Sequence, residues 1–206
     1  MLYSSQTEGW SRNRENESGE KDNMNAVTRG DLAVLDFIRS HLSCGFLDVM
    51  MPAVTHLGDS GMIWIVLSAV LLLFPRTRKY GLTVALALVV GAIICNLTLK
   101  PLVERIRPYE LVGLTNQLLI DPPSDFSFPS GHTTSSFAAA SALVLMRARG
   151  WQAAAVLAVL IAFSRLYLYV HYPTDVIAGA VIGVVSGLAA YVLVWKMRKS
   201  GNTGRL

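Results

Sequence analysis

The sequence predicts an all-α fold: a polytopic membrane helical bundle of about six transmembrane helices, preceded by an N-terminal amphipathic helix. Three observations carry this expectation. Ala, Val, Ile, Leu, Met, Phe, Trp, Tyr and Cys make up 52% of the 206 residues. Asp, Glu, Lys and Arg make up only 16%, where a soluble domain carries about a quarter. The mean hydropathy is +0.44, and the apolar residues fall in long blocks, as membrane spans do.

Taken in order, residues 1–29 are rich in Ser, Asn, Glu and Arg and lack an apolar core. That excludes an ordinary secretory signal peptide there and predicts a disordered polar tail, with Met24 as an alternative start. Asp31 to Leu57 is amphipathic at first, through Leu32, Leu35, Phe37 and Ile38, and more apolar from Phe46 to Val54. It predicts a surface-lying helix running into a first, weakly hydrophobic crossing, with a break near Gly45. Gly58-Asp59-Ser60-Gly61 predicts a turn, Met62 to Phe74 a second crossing, and Pro75 to Lys79 its close. Tyr80 to Leu99 supplies about twenty apolar residues, enough at 1.5 Å per residue to cross a hydrocarbon core of about 30 Å.

Residues 100–130 are charged, Pro-rich and without period, hence an extramembrane loop. His132–Met146, Trp151–Tyr169 and Val176–Trp195 predict three further crossings. The membrane domain is then 30–199, with a short tail at 200–206. Arg76, Arg78 and Lys79, then Arg147 and Arg149, then Lys196, Arg198 and Lys199 all fall on one side of six crossings. The positive-inside rule makes that side cytoplasmic, together with both termini. The 100–130 loop and the 165–175 segment share the opposite, extracytoplasmic side.

Composition also excludes. The net charge of +4 is spread over span ends and motifs, with no basic stripe interleaved with aromatics, so no nucleic-acid partner is expected. Cys44 and Cys95 sit in apolar surroundings and give neither a zinc signature nor a disulfide framework. No carboxylate cluster suited to magnesium accompanies the basic residues, so no metal or cofactor is expected.

Three clusters place ionisable groups next to spans, where they are costly and usually functional. The first runs from Lys100 to Arg107 and Pro108. The second is Phe128-Pro129-Ser130-Gly131-His132. The third is Ser164-Arg165, followed by His171 and Asp175. Asp175 is near enough to His171 to hold one ring nitrogen and leave the other as nucleophile or base. Ser130-Gly131-His132 opens an apolar helix whose free N–H groups favour an anion, and His132 stands where it could protonate a leaving oxygen. Lys100, Arg107 and Arg165 bring three cations from two loops, and Arg matches phosphate oxygens bidentately. A phosphoryl group is the ligand that needs such a set.

In order and internal spacing (K-x6-RP, PSGH, SR-x5-H-x3-D), the three blocks resemble the type 2 phosphatidic acid phosphatase superfamily. The resemblance implies a metal-independent lipid phosphatase on a helical bundle, in the branch distinct from the larger, soluble vanadium haloperoxidases. By matching position, His171 would form a phosphohistidine with Asp175 orienting it. His132 would be the acid for the leaving group and then the base for water. Lys100, Arg107, Ser130, Gly131 and Arg165 would hold the phosphate. The implied partner is a lipid phosphate in a bacterial plasma membrane. Undecaprenyl diphosphate is the first expectation, with phosphatidylglycerophosphate, phosphatidic acid and lipid A as rivals. No residue separates a monophosphate from a diphosphate headgroup.

Other residues receive plainer readings. His41 and His56 lie outside the motifs and read as ordinary polar residues. Glu104 and Arg105 read as loop solvation or as pairing with one another's neighbours, with substrate recognition as the less favoured alternative. Tyr167, Tyr169 and Tyr172 read as an interfacial aromatic belt. Gly179, Gly183 and Gly187 read as a close helix-packing stripe. A transporter would carry its charges along helices at mid-depth; here they gather at span ends.

Overall fold

The computed structural model describes residues 25–203. The expected tail as far as residue 24, Met24 as a start, and residues 204–206 lie outside the described residues. Nine α-helices are described: α1 Ala26–Leu42, α2 Gly45–Leu57, α3 Met62–Leu73, α4 Arg78–Ala92, α5 Lys100–Val103, α6 Pro108–Leu111, α7 Gly131–Leu145, α8 Trp151–Tyr167 and α9 Pro173–Thr203. No strand occurs among the described residues. The tail boundary moves, because α1 begins at Ala26, where Asn25 Oδ1 accepts from Thr28 N–H at 2.8 Å and caps the helix.

Two stretches, Arg78–Leu111 and Pro173–Met197, are long and apolar enough to cross a membrane; Trp151–Tyr167 is apolar but shorter. α2 and the Asp59–Leu73 segment continue end to end through a 42° bend instead of reversing as a hairpin. The Gly58–Gly61 segment spends its left-handed backbone, Ser60 at φ 52° and Gly61 at φ 68°, on redirecting the chain. As a result α1 packs at the end of the bundle that carries the three motif clusters. There Asp31 accepts from Thr174 N–H at 3.1 Å, and Arg39 donates to Gln117 at 2.8 Å.

α7 is the central helix, packing against α9, α8 and α4. Its core is small and tight: Ala87, Ala138, Ala139, Ala142, Ala158 and Ala190 surround Trp64, Val84 and Ile161. The glycine stripe of α9 has the packing role the sequence suggests. A Cβ on Gly179 or Gly183 would come within 2.7 or 2.6 Å of the Ser130 or Thr134 carbonyl oxygen. One on Gly187 would overlap Ser141 Oγ outright. Backbone contact this close seats the start of α9 directly on the Ser130–His132 segment.

A second core lies at the motif end, where Leu32, Leu35 and Ile38 of α1 and Met51 of α2 cover Tyr167, Leu168, Tyr169 and Tyr172. These tyrosines are therefore buried rather than a lipid-facing belt. Their polar tips find partners inside the cap: Tyr167 Oη donates to Asp48 at 2.6 Å and Tyr169 Oη to Asp36 at 2.7 Å.

Candidate active site

Lys100 reaches the site because the helix below it is irregular. Pro101 has no N–H to continue an α-helical ladder, and Ile93–Leu99 widens into a π-helix. Each residue added to a turn rotates the rest of the helix by about 100°, and here Lys100 turns inward and is buried. Arg107 comes after a left-handed residue, Glu104 at φ 49°, that folds the chain back over the bundle end.

Arg107 is almost fully engaged. Its Nε donates to the Asp125 carbonyl at 2.7 Å, Nη2 to Asp125 Oδ1 at 2.6 Å, and Nη1 to the Val170 carbonyl at 2.6 Å. Lys100 Nζ pairs with the other Asp125 oxygen. Burial alone would raise the Asp125 pKa, but hydrogen bonds and charge from Lys100 and Arg107 outweigh it and hold the carboxyl at about 2.

His171 lies in the short connection between α8 and α9. Its Nε2 is 3.3 Å from Arg107 Nη1, a group that can only donate. Nε2 therefore presents a lone pair, and the proton sits on Nδ1, which faces Asp175 Oδ2 at 3.5 Å without a hydrogen bond. Burial first, then the charges of Arg107, Arg165, Lys100 and His132, push the imidazole well below its ordinary pKa. It is neutral at pH 7.

Asp175 is held from three directions. Oδ1 accepts from Arg105 Nη1 at 2.6 Å, and Oδ2 accepts from Tyr172 N–H at 2.9 Å and from Ser127 Oγ. Arg105 also donates to Asp31 at 2.8 Å, and its guanidinium lies 3.8 Å from the centre of the Tyr172 ring. The plain reading of Arg105 as loop solvation is thereby corrected, since it joins α1 to the carboxylate behind His171. Its pairing with distant acids carried no local sequence signal.

Arg165, inside α8, donates from Nη1 to Thr55 Oγ1 at 2.6 Å, while its buried Nε has no partner among the described residues. His132, in the first turn of α7, places Nε2 2.9 Å from Asp59 Oδ1, and Asp59 Oδ2 lies 2.8 Å from His56 Nδ1. His56 thus belongs to the site's rim, contrary to its reading from sequence. Asp59 and Asp125 were also missed; both stand in short polar turns that read as punctuation.

These groups surround one cavity of about 370 Å³, lined by Lys100, Arg107, Gly131, His132, Arg165 and His171 together with His56, Asp59 and Asp125. Of the residues singled out in the sequence, Ser130 and Asp175 stand behind this lining. Ser130 is buried and its hydroxyl caps α7. A second cavity of about 840 Å³ shares Asp59, Lys100, Asp125 and His132 and continues between α3 and α4 along Ile65, Leu88, Gly91 and Ala92. Among the described residues no group of three or more His, Cys, Asp or Glu side chains is placed to hold a metal ion.

This is the architecture of a membrane phosphatase. The chain belongs to the PAP2 superfamily, whose family model matches residues 76–199. Among solved structures it is similar to LpxE of Aquifex aeolicus, with a TM-score of 0.64, 28% identity and coverage of 77% of this chain and 93% of that one. It is also similar to a PAP2-type phosphatidylglycerolphosphate phosphatase from Bacillus subtilis, with a TM-score of 0.66, 27% identity and coverage of 86% and 89%. An undecaprenyl-diphosphatase of Sulfolobus acidocaldarius is 39% identical over 122 residues, 59% of this chain and 58% of that protein. A decaprenylphosphoryl-5-phosphoribose phosphatase of Mycobacterium tuberculosis is 36% identical over 162 residues, 77% of this chain and 88% of that protein.

Proposed function

We propose that this protein removes phosphate from a polyprenyl-type membrane lipid through a phosphohistidine on His171, with undecaprenyl diphosphate as the first candidate substrate. The observation that carries this reading is the joining of two cavities. One gathers three cations and three imidazoles, with the Arg165 Nε left unpartnered for an anion. The other runs from it along apolar side chains of α3 and α4, where a lipid chain fits. The Sulfolobus and Mycobacterium relatives are both named for polyprenyl carriers, undecaprenyl and decaprenyl, which favours that lipid class over glycerolipids and lipid A.

In the proposed chemistry Lys100, Arg107 and Arg165 hold the phosphoryl oxygens, and Gly131 with the α7 N-terminus adds backbone donors. The lone pair of His171 Nε2 attacks phosphorus, and Asp175 stabilises the Nδ1–H side as the ring gains charge. His132 protonates the leaving oxygen and then takes a proton from the water that releases phosphate. Asp125 pairs with Lys100 and Arg107, so the phosphoryl oxygens compete with its carboxylate for these donors. The bilayer is crossed five times, by α2 with α3, α4, α7, α8 and α9. The basic connections face the cytoplasm, and the site and α1 lie on the extracytoplasmic side.

Purified protein in detergent, supplied with undecaprenyl diphosphate in EDTA, releases phosphate, and His171→Ala does not. Equal release by the variant, or none by either protein from a panel of polyprenyl phosphates, contradicts the reading.

A further inference from the structure

We propose that Asp59 is the positioning residue of the leaving-group half of the reaction, fixing the proton of His132 through a direct contact with its ring nitrogen. The proposal rests on the phosphatase reading and deepens it.

Three features of the α2–α3 bend are fitted to the His132 ring. Asp59 Oδ1 lies 2.9 Å from His132 Nε2. Gly58 leaves room for the ring, since a Cβ there would come within 2.8 Å of His132 Cδ2. Gly61, at φ +68°, brings the chain against the next turn of α7, where an added Cβ would stand 3.3 Å from Ser135 Cβ. A tight bend with left-handed backbone at Ser60 and Gly61 thus delivers one carboxylate to one ring nitrogen.

The chemistry comes from donor and acceptor roles. A carboxylate only accepts, so His132 Nε2 carries a proton in both charge states. The exchangeable site is then Nδ1, which has no hydrogen-bond partner among the described residues. In the first step the His171 Nε2–P bond forms as the bond from phosphorus to the leaving oxygen breaks. The Nδ1 proton of the His132 imidazolium passes to that oxygen, giving the lipid alcohol from a monophosphate ester and the lipid phosphate from a diphosphate. In the second step water loses a proton to neutral Nδ1 while its oxygen bonds phosphorus and the P–N bond breaks, giving phosphate and free His171. Asp59 favours the imidazolium by charge and fixes the tautomer that makes Nδ1 the base. His56 holds the second Asp59 oxygen, so the carboxylate is braced rather than free to rotate.

A residue that acts through proton donation matters in proportion to how badly the leaving group needs a proton. Dioctanoyl phosphatidic acid leaves as a poorly acidic alcohol; p-nitrophenyl phosphate leaves as a stable phenolate. The expected result for Asp59→Asn is a loss in kcat of ~100-fold on the lipid with KM little changed, and of less than ~3-fold on p-nitrophenyl phosphate. Asp59→Glu restores part of the activity on the lipid. An equal loss on both substrates marks a merely structural role and overturns the proposal, as does no loss on either. If the unsubstituted protein releases phosphate from neither substrate nor from a panel of polyprenyl phosphates, the phosphatase reading fails and this assignment fails with it.

Discussion

The two motif histidines differ in exposure and in the partner each ring meets, and the proposed mechanism divides the labour between them accordingly. The His171 and Asp175 side chains are 1% and 0% exposed, beneath α1 and the 100–130 segment. His132 is 19% exposed and its partner Asp59 54%. A buried imidazole ringed by cations stays neutral and keeps its lone pair, which suits a nucleophile. An imidazole near solvent, beside a carboxylate, exchanges protons readily, which suits an acid and base. In the proposed mechanism the same residue type is given two jobs, and its burial and partners separate them.

Substitutions on the nucleophile half should be the most severe. His171→Ala removes the atom that bonds phosphorus, and turnover should fall ~10⁴-fold or more in a phosphate-release assay. Arg165→Ala deletes a cavity-lining cation whose buried Nε has no partner among the described residues. Its cost should be about 3 kcal/mol in kcat/KM, or ~100-fold, by the magnitude typical of one lost transition-state donor. Asp175→Asn should lower kcat ~10-fold to ~100-fold while KM stays near its original value, since Asp175 lies behind the cavity lining. An increase confined to KM would show that Asp175 shapes the phosphate seat instead.

The pH profile sharpens the same contrast. His171 is pushed well below its ordinary pKa by burial and then by Arg107 and its neighbours. A folded-state pKa lowered in this way keeps the nucleophile unprotonated down to pH values below about 6.5. Arg107→Gln removes one of the repelling charges, so the pH at which His171 protonates should rise, as read by histidine resonances in NMR. A fall, or no change, would mean that burial alone sets it. The smallest expected effect concerns packing. Gly183→Ala puts a Cβ 2.6 Å from the Thr134 carbonyl oxygen and should cost about 1–3 kcal/mol of stability, seen as a lowered Tm.

Much of the nucleophile half was legible in the sequence because its residues sit in dense local blocks. Lys100, Arg107, His132, Arg165 and His171 all line one cavity, although they come from three separate stretches of chain. The supporting residues were not legible. Asp31 and Arg105 meet across 74 positions, and Asp59 and His132 across 73, so no local pattern announces either pair. The helical class could be read from apolar blocks, whereas the 42° continuation of α2 into α3 could not, because Gly58-Asp59-Ser60-Gly61 suits a reversal and a bend equally well. The tyrosines were misread for a related reason. An aromatic cluster at a span end looks alike whether lipid or an amphipathic helix covers it, and here α1 covers it.

The most direct test separates the two histidines in time. In His132→Ala, p-nitrophenyl phosphate needs no proton to leave, but the phosphoenzyme has lost the base that activates water. Rapid mixing should then give a burst of p-nitrophenol close to one equivalent per site, with acid-labile phosphate on the peptide that contains His171. A burst without bound phosphate, or phosphate on any other residue, would contradict the division of roles between these two imidazoles.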